Sequence, residues 1–433
     1  MKYYIETYGC QMNVYDSGKL EEILRENSFS ETPNPDEADF ILVNTCSVRQ
    51  HAEERALIRI GELGRVSQRT KAVLAVCGCM AQRLGPEILR RRGVDVVVGP
   101  DAYSALLPAF EKSRVTGSKT LDTSRDSGFR FPVSRARSAA RLRAFVSIMK
   151  GCSNTCSFCI VPVVRGPAVS RPHEEVLEEV RLLVAGGVRD ITLIGQNVNA
   201  YSDGDVSFAR LLAMTSDTAG DSRVRFTTSH PRDMSEAVIE TMAREENVCE
   251  HLHLPLQSGS DGVLDSMRRG YTAQRYREIV TATRGAVAGV SITTDIIVGF
   301  PGETIEDFET TCALVEELGF DSAFMFKFSP RPGTDAASMI DNVPKIEKER
   351  RLSELISIER RVSSEKSAAL IGNVMEVLVG AEKKKGDRRF LLGRTRCNRT
   401  VELSGPGELV GKLVNVRVDA ARGVSLLGSL AHC

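Results

Sequence analysis

The segment Cys152-Ser-Asn-Thr-Cys156-Ser-Phe-Cys159 decides how this chain is read. Its CxxxCxxC spacing places three thiolates on one loop, where they can cap three corners of a cubane iron–sulfur cluster. A [4Fe–4S] cluster has four irons, so three cysteines leave one iron open to an outside ligand. A purely structural metal site would be closed by a fourth protein ligand. The competing readings are a zinc site or reduced structural thiols. Zinc takes four ligands, commonly from paired CxxC units, and no second CxxC accompanies Cys156 and Cys159. The spacing therefore favours a cluster with an exchangeable position.

The 433 residues around this loop exceed what one hydrophobic core organises, and the length implies about three domains. Hydrophobic residues at 42% and charged ones at 26% are those of a soluble globular protein. No apolar run approaches the roughly 20 residues that a membrane-spanning helix needs. The first residues, Met-Lys-Tyr-Tyr-Ile-Glu-Thr-Tyr-Gly-Cys, read as a strand and not as a secretory signal. Eleven cysteines, an odd number, favour thiol and metal chemistry in a reducing compartment over a disulfide framework. A cytoplasmic monomer is expected, with no membrane partner.

The net charge is zero but unevenly spread. Residues 129–150 hold Arg130, Arg135, Arg137, Arg141, Arg143 and Lys150 with no acid, and residues 371–433 hold eleven Lys/Arg against six Asp/Glu. Local basic surface is what a phosphate backbone responds to, and the whole-chain sum hides it. A solvated surface and an Arg-rich linker would give the same counts.

From residue 2 to about 112, short apolar runs alternate with helical stretches. Residues 3–7, 40–44, 72–77 and 94–98 read as buried strands, and 17–26, 51–64 and 86–92 as helices. This alternation predicts an α/β unit with a parallel, Rossmann-like sheet. Cys10, Cys46 and Cys79 each fall just after a strand, and ligands of such sheets gather outside the carboxyl ends of the strands. Residues 117–137 read as a basic linker. A second series, with strands at 144–149, 190–194, 225–228, 251–254, 293–298 and 322–328, predicts a partial (β/α)6 barrel over 138–370. The CxxxCxxC loop follows its first strand. Residues 344–370 read as a long amphipathic helix leading out of the barrel. Five short β-branched runs within 371–433, separated by Gly-rich turns, predict a small antiparallel β-barrel.

Further stretches carry a resemblance: Tyr8-Gly-Cys-Gln-Met-Asn13, Asn44-Thr-Cys-Ser-Val-Arg49, Cys77-Gly-Cys-Met-Ala81, Gln196-Asn-Val-Asn199, Thr227-Thr-Ser-His-Pro231, Leu252-His-Leu-Pro-Leu-Gln-Ser-Gly-Ser260, Thr294-Asp-Ile-Ile-Val-Gly-Phe-Pro-Gly-Glu303 and Pro330-Arg-Pro-Gly-Thr334. Together with CxxxCxxC they resemble the methylthiotransferase family of radical S-adenosylmethionine (SAM) enzymes over nearly the whole chain. The wording is most similar to the branch that makes 2-methylthio-N6-isopentenyladenosine in tRNA. The chain departs from the family pattern at Gly18, where many relatives carry Glu. It departs again at Val163 and Pro167, where Tyr and a polar residue are common. None of these changes removes a cysteine.

The resemblance implies an N-terminal cluster-binding domain over 1–116, the radical SAM core, and a C-terminal RNA-binding TRAM barrel. It implies that Cys10, Cys46 and Cys79 bind an auxiliary [4Fe–4S] cluster that carries the sulfur. Cys152, Cys156 and Cys159 would bind a second [4Fe–4S] cluster, whose open iron takes the amino and carboxylate groups of SAM. Cys77 is the rival auxiliary ligand, and the Gly-Cys-Met-Ala wording favours Cys79. Cys249, Cys312, Cys397 and Cys433 read as small buried hydrophobes. The implied reaction is radical methylthiolation at C2 of the prenylated adenosine next to the anticodon, with two SAM per turnover. Its implied partners are the tRNA anticodon stem-loop, an external electron donor, and cluster- or sulfur-delivery proteins. Cofactors then carry the hard chemistry while the protein orients them.

Phe158 is expected near the cluster and the SAM adenine, Ile160 to offer backbone contacts, and Gln196 to meet the polar end of methionine. Gln257 and Asp295 are expected at the SAM ribose or the substrate. Strand-end polar groups satisfying loop backbone would explain these residues equally well. Lys383, Lys384, Lys385, Arg388, Arg389, Arg394, Arg396 and Arg399 are expected to form one patch holding the stem-loop through phosphates. The target base would then be splayed into the barrel. Alternatives are the same chemistry on threonylcarbamoyl-adenosine or a ribosomal-protein aspartate, and a non-catalytic iron–sulfur RNA-binding protein.

Overall fold

The computed structural model describes residues 1–47, 50–125, 142–386 and 388–431. Arg49, Arg130, Arg135, Arg137, Arg141 and Cys433 lie outside the described residues, as does the side chain of Arg388.

The N-terminal unit runs β1 (Lys2–Tyr8), α1 (Gln11–Glu26), β2 (Ser30–Glu31), β3 (Phe40–Thr45), α2 (Gln50–Thr70), β4 (Val73–Gly78), α3 (Cys79–Leu89), β5 (Val96–Val98), α4 (Leu106–Thr116) and β6 (Thr120–Asp122). Its strands form one parallel sheet in the order β2-β1-β3-β4-β5-β6. β3 and β4 are buried along their whole length, which is why they read as unbroken apolar runs. One face packs Phe29, Phe40 and Phe110, with ring centroids 4.4 Å apart for Phe40–Phe110. The other packs Val43, Ile60, Leu74 and Ile88. Burying one such side chain contributes roughly 1.5–3 kcal/mol.

Two helices begin earlier than the apolar periodicity predicts: α1 at Gln11 rather than residue 17, and α3 at Cys79 rather than residue 86. The first two turns of α1 spend Asn13, Asp16 and Ser17 on polar contacts described below, which breaks the apolar stripe. Pro86 lies inside α3 behind a kink at Leu84 (φ −112°, ψ 22°). β6 pairs with β5, so the sheet extends to residue 122, into what reads as linker.

The central unit adds β7 (Arg143–Ser147), β8 (Met149–Lys150), α5 (Val161–Arg165), β9 (Val169–Ser170), α6 (His173–Ala185), β10 (Asp190–Ile194), β11 (Ser202–Asp203), β12 (Val206–Ser207), α7 (Phe208–Ala219) and β13 (Arg223–Phe226). It continues with α8 (Glu236–Arg244), β14 (His251–His253), α9 (Asp261–Ser266), α10 (Ala273–Ala286), β15 (Ser291–Val298), α11 (Ile305–Leu318) and β16 (Ser322–Lys327). Six of its strands form two parallel three-stranded sheets, β7-β10-β13 and β14-β15-β16. A parallel bridge between Val224 and Val248 links the two arcs into an open half-barrel. α12 (Lys345–Ala368) packs on β16 and α11 and leads to the last unit. No described helix is long and apolar enough to cross a membrane.

β17 (Val374–Lys385), β18 (Arg388–Thr395), β19 (Thr400–Leu403), β20 (Leu413–Arg422) and β21 (Ser425–Leu430) close a small barrel in the order β17-β18-β19-β21-β20. The β19–β21 pair runs parallel and the others antiparallel. Val377, Val379, Leu391, Val401, Val416 and Leu426 fill it.

The turn at 395–400 of this barrel plugs the face of the half-barrel where strands begin. Arg396 pairs with Glu250 (2.7 Å), Arg399 with Asp321 (2.6 Å) and with the Ser367 hydroxyl (2.8 Å). From the other side, Arg225 donates to the carbonyls of Arg396 (2.6 Å) and Thr395 (2.9 Å). Arg223 donates to the Arg394 carbonyl (2.8 Å) and pairs with Glu376 (2.7 Å). Arg394 itself donates to the Asn398 carbonyl (2.9 Å). The expectation of one basic patch is corrected here. Arg394, Arg396 and Arg399 are spent on closing the turn and joining two units, because sequence spacing does not reveal the acids that the fold sets opposite them.

Candidate active site

Cys10, Cys46 and Cys79 follow β1, β3 and β4, three adjacent strands of one parallel sheet. Strand order reverses between β1 and β3, and such a switch point opens a crevice at the carboxyl edge. Cys10 caps α1 and Cys79 begins α3, so both thiols stand at helix N-termini, which favour a thiolate. Gly9 (φ +153°) and Gly78 (φ +92°) precede them. A Cβ on Gly9 would lie 2.6 Å from the Cys46 Cβ, and one on Gly78 would lie 2.5 Å from the Thr45 carbonyl oxygen. Only glycine lets the strands come this close.

A buried amide pair fixes the approach. Asn13 Nδ2 donates to Asn44 Oδ1 (3.1 Å) and to the Thr45 carbonyl (3.1 Å). Asn44 Nδ2 donates to the Asn13 carbonyl and to Ser17 Oγ, both at 3.0 Å. A hydrogen bond with Cys46 and the field of Arg165 outweigh burial and lower the Cys10 thiol to about 6. Burial pushes the Cys79 thiol up. Cys77 lies in the apolar core with Phe40 and Val96, and burial pushes its thiol up further. Cys79 instead stands against Ile160 and Val164 and feels the charge of Cys10.

The CxxxCxxC loop leaves the carboxyl end of β7. The β8–β9 pair clamps its base, and the Cys152 amide donates to the Gly166 carbonyl (3.1 Å). Cys156 Sγ accepts from Arg269 Nη1 (3.2 Å) and faces His230 Nε2 (3.8 Å). His230 Nδ1 accepts the Arg232 amide (3.2 Å), which assigns the ring proton to Nε2, on the sulfur side. Burial, assisted by Arg269, lowers His230 to about 3, so the ring is neutral. Burial raises Cys152 and pushes Cys159 up to about 12. Three thiols on one loop fit a cluster, since metal binding takes the proton that burial otherwise retains.

Around the strand ends, buried polar atoms lack partners: Gln196 Oε1, Asn197 Oδ1, Ser229 Oγ, Gln257 Oε1 and Asn154 Nδ2. Thr228 (φ +72°) and Gln257 (φ +71°) hold left-handed backbone, a strain that packed structure must impose. Buried polar groups are ordinarily satisfied, so this concentration fits a polar ligand such as SAM. Asp295 Oδ2 lies 3.5 Å from His253 Nε2.

A cavity of ≈ 540 Å³ joins the two regions. Cys10 and Cys46 line it at one end, Gln196, Thr228, His253 and Asp295 along the half-barrel, and Asn398 and Arg399 at the plugged face. Gln257 and the three loop cysteines do not line it. Phe158 packs with Val263, Phe300 and Phe328 beneath the loop. Ile160 packs on Cys79, and its carbonyl starts α5. Sequence reasoning missed Arg165, Arg269 and His230. Only His230 carried a signal, within Thr-Thr-Ser-His-Pro.

Lys383, Lys384 and Lys385 are exposed on the β17–β18 hairpin, with Arg389 opposite Lys384 and 3.7 Å from Glu382. Replacing the three lysines by Ala is expected to weaken RNA binding. The log–log salt slope should flatten by roughly 0.7–0.9 for each phosphate no longer neutralised. Filter binding across a salt series measures this, and an unchanged slope would exclude the hairpin.

A half-barrel with a CxxxCxxC loop at its first strand end defines a radical SAM enzyme. Residues 146–315 match the radical SAM superfamily, 2–99 the uncharacterized protein family UPF0004, and 368–431 the TRAM domain. The chain is 43% identical over 442 residues to the tRNA-2-methylthio-N(6)-dimethylallyladenosine synthase of Porphyromonas gingivalis W83, covering 100% of this chain and 95% of that protein. It is 44% identical over 439 residues to the synthase of that name from Carboxydothermus hydrogenoformans, covering 99% of each. Among solved structures, the radical SAM methyltransferase TsrM from Kitasatospora setae, with cobalamin and a [4Fe-4S] cluster bound, aligns with a TM-score of 0.60 at 14% identity. That alignment covers 77% of this chain and 73% of that one, a likeness of fold. By its similarity along the whole length, the chain belongs to the tRNA methylthiotransferase family of radical SAM enzymes.

Proposed function

We propose that this enzyme transfers a methylthio group to C2 of N6-isopentenyladenosine next to the anticodon of tRNA, using SAM and two [4Fe–4S] clusters. One observation carries the reading. Cys10 and Cys46 open into the same cavity as Gln196, Thr228, His253 and Asp295, so the sulfur-bearing site and the polar mouth of the half-barrel share one space.

Cys152, Cys156 and Cys159 hold one cluster, and Cys10, Cys46 and Cys79 the other. When bound, these groups supply the electron that cleaves SAM and the sulfur that is transferred. The chain's own residues position and shield. Arg269 and His230 aim N–H groups at the Cys156 sulfur and hold that ligand in place. The Asn13–Asn44 pair fixes Cys10 and Cys46 against each other. Gln196, Asn197, Ser229 and Gln257 offer unpartnered polar atoms to the amino, carboxylate and ribose groups of SAM. Met12, Val161 and Ile194 line the cavity beside Cys10 with apolar surface and keep water from the reacting centre. Asp295, backed by His253, faces the remaining space and orients the ribose or the adenine. The exposed lysines of the β17–β18 hairpin hold RNA phosphates. The residue 1–122 sheet acts as the sulfur unit, the half-barrel as the radical unit and the small barrel as the RNA unit. The enzyme works as a cytoplasmic monomer with an external reductant.

The test uses the reconstituted full chain with SAM, a strong reductant and a stem-loop RNA containing N6-isopentenyladenosine. Mass spectrometry should find the 2-methylthio nucleoside together with 5′-deoxyadenosine. Cleavage of SAM with no methylthiolated base, on this or an unprenylated loop, would defeat the proposal.

A further inference from the structure

Arg165 is the last residue of α5, the short helix that follows the CxxxCxxC loop, yet its guanidinium serves the other cysteine triad. Its Nε donates to Cys79 Sγ (3.1 Å), and Nη2 pairs with Asp16 (2.6 Å) on α1. All three residues are buried, with Arg165 7%, Asp16 2% and Cys79 4% exposed. Tyr103 completes the shell by donating to Asp16 (3.3 Å). Earlier in the same segment, Ile160, the residue after Cys159, packs on Cys79 together with Val164. One stretch of chain therefore leaves one ligand set and grips the other. Gly151 permits this path: a Cβ there would lie 1.9 Å from the Pro167 carbonyl oxygen, where the segment folds back on the loop.

We propose that Arg165 is a positioning residue of the auxiliary cluster: supplied by the radical unit, it holds Cys79 in place as a ligand and sets the cluster's reduction potential. The inference rests on Cys10, Cys46 and Cys79 holding that cluster. A buried positive charge and an N–H directed at a ligand sulfur both stabilise the more negative, reduced cluster. Asp16 keeps the guanidinium in one orientation, and its own charge keeps the buried arginine from standing unpaired. The potential of the N-terminal cluster is thereby tied to correct packing of the half-barrel against the N-terminal sheet. An auxiliary cluster in a chain whose units have come apart would not have the working potential.

The experiment uses the full chain in which Cys152, Cys156 and Cys159 are Ala, so that only the auxiliary cluster remains. About four irons in that background test the ligand assignment itself; near-zero iron overturns that assignment and the inference with it. Into this background go Arg165→Lys, Arg165→Gln, and Arg165→Gln combined with Asp16→Asn, which leaves no unpaired buried charge. Potentiometry followed by electron paramagnetic resonance reads the midpoint. The expected result is a more negative midpoint for both Gln variants, a smaller shift for Arg165→Lys, and an altered signal shape. Selective loss of iron from the Gln variants, with native circular dichroism, supports the holding role equally. Iron content, midpoint and signal all equal to the background in the three variants would overturn the proposal.

Discussion

Replacing Cys10, Cys46 and Cys79 together by Ala is expected to abolish methylthiolation while SAM cleavage at the other triad stays measurable. The two triads occupy separate units: Cys156 takes its contacts from Arg269 and His230, Cys152 donates its amide to the Gly166 carbonyl, and the Ser157 amide beside Cys156 donates to the Met267 carbonyl. Iron should fall by about half, from eight to four per chain. Cys77→Ala is the matched control. That thiol belongs to the core with Phe40 and Val96, so its loss removes a small buried group and leaves iron content intact. Iron analysis, with 5′-deoxyadenosine and methylthio-nucleoside quantified in parallel, checks both halves. Full product formation by the triple variant without added sulfide would refute the division of labour.

Truncation after residue 370 is expected to damage the half-barrel and not merely RNA binding. The plug at 395–400 ties the small barrel to the half-barrel through the Arg396–Glu250 and Arg399–Asp321 pairs. Without it Arg223, Arg225 and Asp321, all buried, lose partners. Breaking one buried pair costs roughly 3–5 kcal/mol because the remaining charge is uncompensated. Arg399→Ala should approach the lower end of that range, since Asp321 retains Lys366 at 2.9 Å. Denaturant unfolding of Arg399→Ala measures the single ion pair. The truncated chain should give a lowered midpoint and reduced iron at the loop triad. Unchanged stability in both variants would show that the interface is weak.

The β/α alternation was legible because parallel strands buried on both faces must be apolar throughout, and the six half-barrel strands fall within a few residues of their expected positions. Cysteines placed just after strands are likewise visible, since strand ends and thiols are both local features. The starts of α1 and α3 were not. The first two turns of α1 bury Asn13, Asp16 and Ser17, which bond to β3, Arg165 and Tyr103, so the apolar stripe is broken there. β6 has three residues and gains its identity only by pairing with β5. The arginines show the same limit most clearly. Arg396 and Arg399 look like Lys383 and Lys385 in the sequence, but Glu250 and Asp321, distant along the chain, claim them. Arg165 stands in an apolar run, and its link to Cys79 spans 86 positions. Long-range electrostatic pairing leaves no periodic trace.

Both cysteine triads are expected to work on one prenylated adenosine in tRNA. Nucleoside mass spectrometry of tRNA from cells lacking this chain tests it most directly. Complementation should compare the intact chain with variants carrying Ala at Cys10, Cys46 and Cys79 or at Cys152, Cys156 and Cys159. The expected result is loss of 2-methylthio-N6-isopentenyladenosine, accumulation of N6-isopentenyladenosine, and restoration by the intact chain alone. Persistence of the methylthiolated nucleoside in the deleted cells, with no second enzyme of this family present, would contradict it.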